Sequence, residues 1–168
     1  MTPIELEDLR QQIRAWISNF LSVPHPHFAG LPPCPFSQQA WLENRVEVRD
    51  FKIDKLEIQL VEVAETWSDR LDVSILACSP DDIDAAVLDR RVRCTNAQLA
   101  RYDLVALVDY PNHPATTTSH TNTSNGKYAL VLVQKASHLR AASDRLADTG
   151  YYDRWSEEDL NNIVRWRG

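Results

Sequence analysis

DLVALVDYPNHPATTTSHTNTSNGKYALVLV, residues 103–133, is the stretch on which the fold turns. Its two ends, residues 103–109 and 128–133, are short apolar runs rich in Val and Leu, the composition of buried strands. Between them lies a polar stretch of Thr, Ser and Asn that closes on Asn125-Gly126, a turn signal. The segment therefore predicts two strands joined as a long-looped hairpin in the C-terminal half. Upstream, residues 71–78 (LDVSILAC) read as another buried strand, and residues 45–51 (RVEVRDF) alternate as a strand does. The sum is a mixed sheet of about four strands.

The rest of the chain is largely helical in pattern. Thr2-Pro3-Ile4-Glu5 has the form of a capping box with proline at the first helical position. Leu6, Leu9, Ile13, Trp16, Ile17 and Phe20 follow at helical spacing, which predicts a helix over residues 2–22. Ile53, Leu56, Leu60, Val63, Ala64 and Trp67 mark a second long helix. Ser79-Pro80-Asp81-Asp82 predicts a third helix start. Residues 90–102 are ambiguous, with Thr95 a candidate cap for a short helix through Arg101. Ser37 is a candidate cap for a short helix through Asn44, residues 139–148 are helical in pattern, and Ser156 caps a last helix ending near Trp166. Helices interleaved with strands predict one α/β domain over residues 1–168, a sandwich of a four-stranded mixed sheet and flanking helices.

Composition narrows the function. Of 168 residues, 43% are hydrophobic and 25% charged, which excludes fibrous and disordered classes. The net charge of -6 gives no basic footprint for nucleic acid or an anionic membrane. No apolar run approaches the roughly 20 residues that cross a bilayer. The opening MTPIELEDLRQ lacks the basic and apolar regions of a signal peptide. Three cysteines, Cys34, Cys78 and Cys94, fit reduced thiols in a cytoplasm better than a disulfide framework. Four glycines leave no Gly-rich phosphate loop. The partners expected are a small-molecule substrate and at most a second copy of the chain in a homodimer.

Two predicted loops carry chemistry. The first, residues 23–36 (VPHPHFAGLPPCPF), holds five of the nine prolines and must be stiff and irregular. Cys34 stands just before a helix start, where unpaired N–H groups favour a thiolate; it reads equally as a small buried hydrophobe. His25 and His27 could ligate a metal together with Cys34. The second loop begins with Asn112-His113-Pro114 at a strand end, where α/β folds place ligands. A neutral imidazole at His113 can bind a metal or haem iron, and Thr117 and His120 could line the opposite side and hold a polar substrate. His138 reads as a solvent-facing helical residue, and Arg90, Arg91 and Arg93 as a solvated helix face. Asp50, Asp103 and Asp109 sit at strand edges, with no spacing that singles out an acid/base pair. Trp155 and Trp166 either complete the core or dock a partner.

The order helix, PPCPFSQQAWLENRVEVRDF, helix, strand, helix, strand ending in NHP, strand YALVLVQ, helix resembles the guanitoxin-type haem-dependent N-hydroxylases (the YqcI/YcgG-like proteins). An uncharacterised family of short proteins with a CPFA motif and a Phe-His-Pro motif is similar too. The residue matches are Pro33-Cys34 and His113-Pro114. This resemblance implies haem or iron bound through His113 and oxidation of a small amine-like molecule, with Pro33 and Cys34 in a motif that is structural or lines the pocket. Where those enzymes carry a basic run after the His-Pro, this chain has ATTTSHT. Cys34-Pro35-Phe36-Ser37 also resembles the one-thiol sites of glutaredoxin-like and glutathione-transferase-like proteins, although proline-rich PHPHFAGLPP cannot form the ladder strand that precedes the thiol in them. The expected function is thus a small haem- or metal-dependent oxidoreductase; the alternatives are a thiol-dependent enzyme using Cys34 and a non-enzymatic binding protein.

Overall fold

The structure is a computed structural model that describes residues 3–111, 117–118 and 121–167. It is mixed α/β: one four-stranded sheet between two layers of helix. The strands are β1 (Val46–Asp50), β2 (Val73–Cys78), β3 (Leu104–Asp109) and β6 (Ala129–Lys135), with the two-residue strands β4 (Thr117–Thr118) and β5 (Thr121–Asn122) paired separately inside the long loop. Sheet order is β1-β2-β6-β3. β1 and β2 are parallel, and β6 runs antiparallel to both of its neighbours. The predicted hairpin is therefore real: β3 and β6 pair from Leu104↔Lys135 to Asp109↔Leu130.

Side-chain alternation along the central strands explains the two layers. Leu76 and Cys78 of β2 and Ala129, Val131 and Val133 of β6 point to one face. Ile75 and Ala77 of β2 and Leu130 of β6 point to the other. Strands buried on both faces read as unbroken apolar runs, as LDVSILAC and YALVLV do. The first face is covered by α3 (Leu56–Glu65) and α4 (Ala85–Leu99), through Leu56, Leu60, Val63, Leu88, Val92 and Leu99. The second is covered in part by α1 (Pro3–Trp16), which buries Leu9 and Ile13, and by the wider helical turn Ile17–Leu21 that continues it. The remaining α-helices are α2 (Ser37–Leu42), α5 (Ala136–Ala147) and α6 (Glu157–Asp159).

Several helix starts differ from the sequence reading. Ser79-Pro80-Asp81-Asp82 forms a single tight turn, and α4 begins only at Ala85, where the Asp84 carboxylate accepts from Ala86 N at 2.9 Å and Val87 N at 3.2 Å. Thr95 caps nothing. It lies inside α4, buried, and its hydroxyl donates to Arg91 O at 2.9 Å, because α4 runs unbroken with Leu88, Val92, Thr95 and Leu99 on its inner face. Ser37 likewise opens α2 without capping it: its hydroxyl turns back to Cys34 O at 2.8 Å. Helix α5 starts three residues before the predicted Leu139, directly from β6, because Asp103 caps it from a distance. Asp103 sits in left-handed backbone, φ 55°, accepts from Ser137 N at 3.0 Å and from the Ser137 hydroxyl, and receives Ala136 N on its carbonyl at 2.8 Å. The Ser137 bonds hold its carboxyl below the ordinary carboxylate value. The predicted Thr2 cap lies outside the described residues.

The arginines of α4 are not all solvated. Arg91 makes a two-pronged contact to Glu57, Nε to Oε1 and Nη2 to Oε2 at 2.6 Å each, and donates to Ile53 O at 2.8 Å. It ties α4 to α3, and that pairing lowers the Glu57 carboxyl below its usual value. Arg93 pairs along its own helix with Asp89 at 2.8 Å.

Candidate functional site

Helix α1 and helix α5 flank a gap on one face of the sheet. Helix α5 turns Ala141 and Ala142 toward the gap, and side chains this small leave it unfilled. The result is a cleft of about 390 Å³, within the usual range for small-molecule sites. Its floor is apolar: Val46, Val73, Ile75 and Leu132 from three strands, with Trp16, Ile17 and Leu21 from the end of α1. Its rim carries Cys34, Phe36, Arg45, Lys135, His138 and Arg145.

Cys34 is held in the cleft wall by its own backbone. Its N–H donates to Leu21 O at 2.9 Å, at the end of the α1 turn. Its carbonyl accepts from Ser37 N at 3.2 Å and from the Ser37 hydroxyl at 2.8 Å, at the start of α2. The prolines around it deny the loop other backbone conformations. Before it the chain folds into a compact knot, with Ala29 and Gly30 both left-handed (φ 56° and 78°) and Gly30 N donating to His25 O at 3.2 Å. Cys34 is half-buried, Cys78 buried and Cys94 exposed, and none of the three is in a disulfide. Burial, with the Asp82 charge adding to it, pushes the Cys78 thiol up to about 12.

His25 and His27 are packed among aromatic rings behind this loop. The His25 Nδ1 accepts from His27 N at 3.1 Å, which occupies one nitrogen lone pair. Both rings contact Phe28 edge-on, and His27 stacks on Trp155 with ring centres 6.3 Å apart. Tyr151 joins the same cluster and donates its hydroxyl to Pro33 O. Phe28 is 1% exposed and Tyr151 5%, so the C-terminal segment closes over the loop. Trp155 is thus a packing residue, and Trp166 lies under the Arg93 guanidinium at 4.8 Å.

The second predicted site is described only in part. Asn112, His113, Pro114 and His120 lie outside the described residues; Thr117 belongs to β4 by its backbone. Where the loop returns it is firmly anchored. Gln12 of α1 donates to Asn125 O at 3.1 Å, and Trp16 Nε1 to Thr123 O at 3.1 Å. Asn125 Oδ1 accepts from Lys127 N at 3.0 Å and Tyr128 N at 2.8 Å, the side-chain turn expected of Asn-Gly. Its Nδ2 and backbone N–H both donate to Asp109 Oδ2, at 2.5 and 3.1 Å. Asp109 is buried, and loss of solvent pushes its carboxyl up to about 6 even against those two donors. Sequence reading placed it at a strand edge. Its parity with Val105, two steps of two residues earlier in β3, was the available signal that it points inward.

Haem or iron, the cofactor implied by the family resemblance, finds no donor set among the described residues. They hold no group of three or more His, Cys, Asp or Glu side chains placed for a metal ion. In the cleft, Cys34 and His138 are the described side chains of a type that ligates haem iron, and the ligand implied by resemblance, His113, lies outside the described residues. No chemistry is therefore routed through that group. Also among the described residues, no helix is long and apolar enough to cross a membrane. Comparison with family models, with curated proteins and with solved structures finds no significant match.

The cleft's polar groups are unequally committed. Arg45 is paired, its Nη1 at 2.7 and 2.8 Å from the two oxygens of Asp72 and its Nε at 2.9 Å from Glu43. Lys135 donates to Tyr102 O at 3.3 Å and stands 3.9 Å from Asp69. Arg145 lies 5.6 Å above the centre of the Phe36 ring, a cation–π contact. Sequence reasoning found Cys34 but missed the cleft itself, since nothing local marks a gap between two helices that pack on one sheet.

Proposed function

We propose that this protein binds a small, mainly apolar molecule in the cleft between α1, α2 and α5, and presents Cys34 to it as the reactive group. The observation that carries this reading is the pinned position of Cys34 in the wall of an apolar cavity of ligand size. A thiol fixed beside a bound molecule gains from proximity whatever it then does to that molecule. His138 lines the same cleft. The activity class is thiol-dependent chemistry on a small molecule.

Competitive alkylation tests it with the two other cysteines as internal standards. N-ethylmaleimide and N-cyclohexylmaleimide share a reactive ring and differ in apolar bulk. If the cleft takes up apolar molecules, the Cys34 to Cys94 labelling ratio should rise about tenfold from the first reagent to the second. Cys78 should stay unlabelled with both, because little of it is thiolate at neutral pH. A ratio that is unchanged, or that falls with the bulkier reagent, refutes the reading.

A further inference from the structure

The cleft is charged against the sign of the chain. The protein carries a net -6, yet the described residues lining the cleft include three cations, Arg45, Lys135 and Arg145, and a single carboxylate, Asp72. Two of those cations are already engaged, Arg45 by Asp72 and Glu43, and Lys135 by the Tyr102 carbonyl with Asp69 nearby. Arg145 has no ion pair among the described residues, and its recorded contact is the face of Phe36. It is exposed, and so is Phe36 at 42%, so the pair stands at the mouth of the cleft with the apolar floor behind it. His138 lies two helical turns before Arg145 on the same side of α5, with Ala141 and Ala142 between them.

Building on the reading of this cleft as a ligand site, we infer that its ligand is an amphipathic anion. One carboxylate-type group is held at the Arg145 guanidinium, and an apolar chain or ring lies on Val46, Val73, Ile75 and Leu132. The planar guanidinium offers paired donors that match a carboxylate, and stacking on Phe36 holds it ready without consuming them. A cationic ligand would meet the unpaired charge of Arg145. A neutral one would leave Arg145 with nothing to recognise.

Protection of Cys34 from N-ethylmaleimide by three probes with a ten-carbon chain tests this: decanoate, decan-1-ol and decyltrimethylammonium, each kept below its micelle concentration or solubility limit. Decanoate should half-protect at a concentration about tenfold lower than decan-1-ol, the increment of one charge-assisted contact. That advantage should vanish in Arg145→Gln and persist in Arg145→Lys, with protection by decan-1-ol the same in all three proteins. The inference is overturned if decan-1-ol or the ammonium matches decanoate, or if the advantage survives Arg145→Gln. Protection by decan-1-ol without preference for decanoate would leave the cleft a ligand site and remove only its charge selectivity. Failure of all three probes to protect would remove both.

Discussion

Asp109 is the residue whose energetics are most at odds with its surroundings. Its carboxyl is 5% exposed, and desolvation lifts it from the ordinary 3.8 to about 6. The folded chain therefore holds a proton that the unfolded chain has released between those two values. Stability from this group is greatest below pH about 4, falls as pH rises through that window, and is flat above it. Asp109→Asn keeps the size and an oxygen for the Asn125 donors while removing the charge. It should stabilise the protein at pH 7 by about 3 kcal/mol, and the gain should shrink toward zero as the pH is lowered to 4. Denaturant unfolding of both proteins at several pH values measures this. A constant difference across that range would mean that Asp109 does not titrate there. Asn125 matters to the same balance: it organises the hairpin return and supplies both donors to the carboxylate. Asn125→Ala should leave the buried charge with only the backbone N–H of residue 125 and cost more at pH 7 than at pH 4.

At the level of elements, helix starts decide where side chains land. Helix α4 depends on Asp84, whose carboxylate satisfies two of the N–H groups that a helix start leaves open. Asp84→Ala should cost about 1 kcal/mol and lower Tm by roughly 2–4 °C, while Asp84→Asn or Asp84→Ser should cost little. Scanning calorimetry separates them; equal losses in all three would show that the cap is not what holds the start. The departures at the starts of α4 and α5 have one cause. Ser79 offers the same capping chemistry as Asp84, and its hydroxyl does accept from Asp81 N at 3.3 Å, but the turn there is not continued. Helix α5 lacks a local cap altogether and borrows Asp103, 34 residues away. Local sequence can show that a cap exists; it cannot choose between two candidates or find one supplied from another strand.

On the scale of the molecule, the C-terminal segment and the proline-rich loop hold each other in place. Phe28, Tyr151 and Trp155 form one aromatic contact, and Tyr151 bonds to the carbonyl next to Cys34. Removing residues 151–168 should therefore expose Phe28, cost about 3–5 kcal/mol as loss of large buried aromatics does, and speed Cys34 alkylation as its loop loosens. A truncated chain with unchanged Tm and unchanged Cys34 reactivity would show instead that the segment is a docking arm. The same scale sets the cleft. It exists because α1 covers one end of a sheet face and α5 flanks the other, and its cations come from the residue before β1, the end of β6 and α5.

What the sequence determined by itself was the sheet and its layers. Unbroken apolar runs at residues 71–78 and 128–133 required strands buried on both faces, and the helical stripe from Leu6 to Ile17 required a partner surface, because apolar area left in water is costly whatever the topology. The proline content of residues 23–36 likewise settled that Cys34 would sit in a stiff loop, since proline limits its backbone locally. Only the tertiary structure decided that β6 inserts between β2 and β3, that Asp109 is buried, that His25 and His27 are stacked among aromatic rings, and that Cys34, His138 and Arg145 share one cavity. Those are distances between residues up to 128 positions apart, and periodicity along a chain carries information about which face a residue takes, not about what stands across from it.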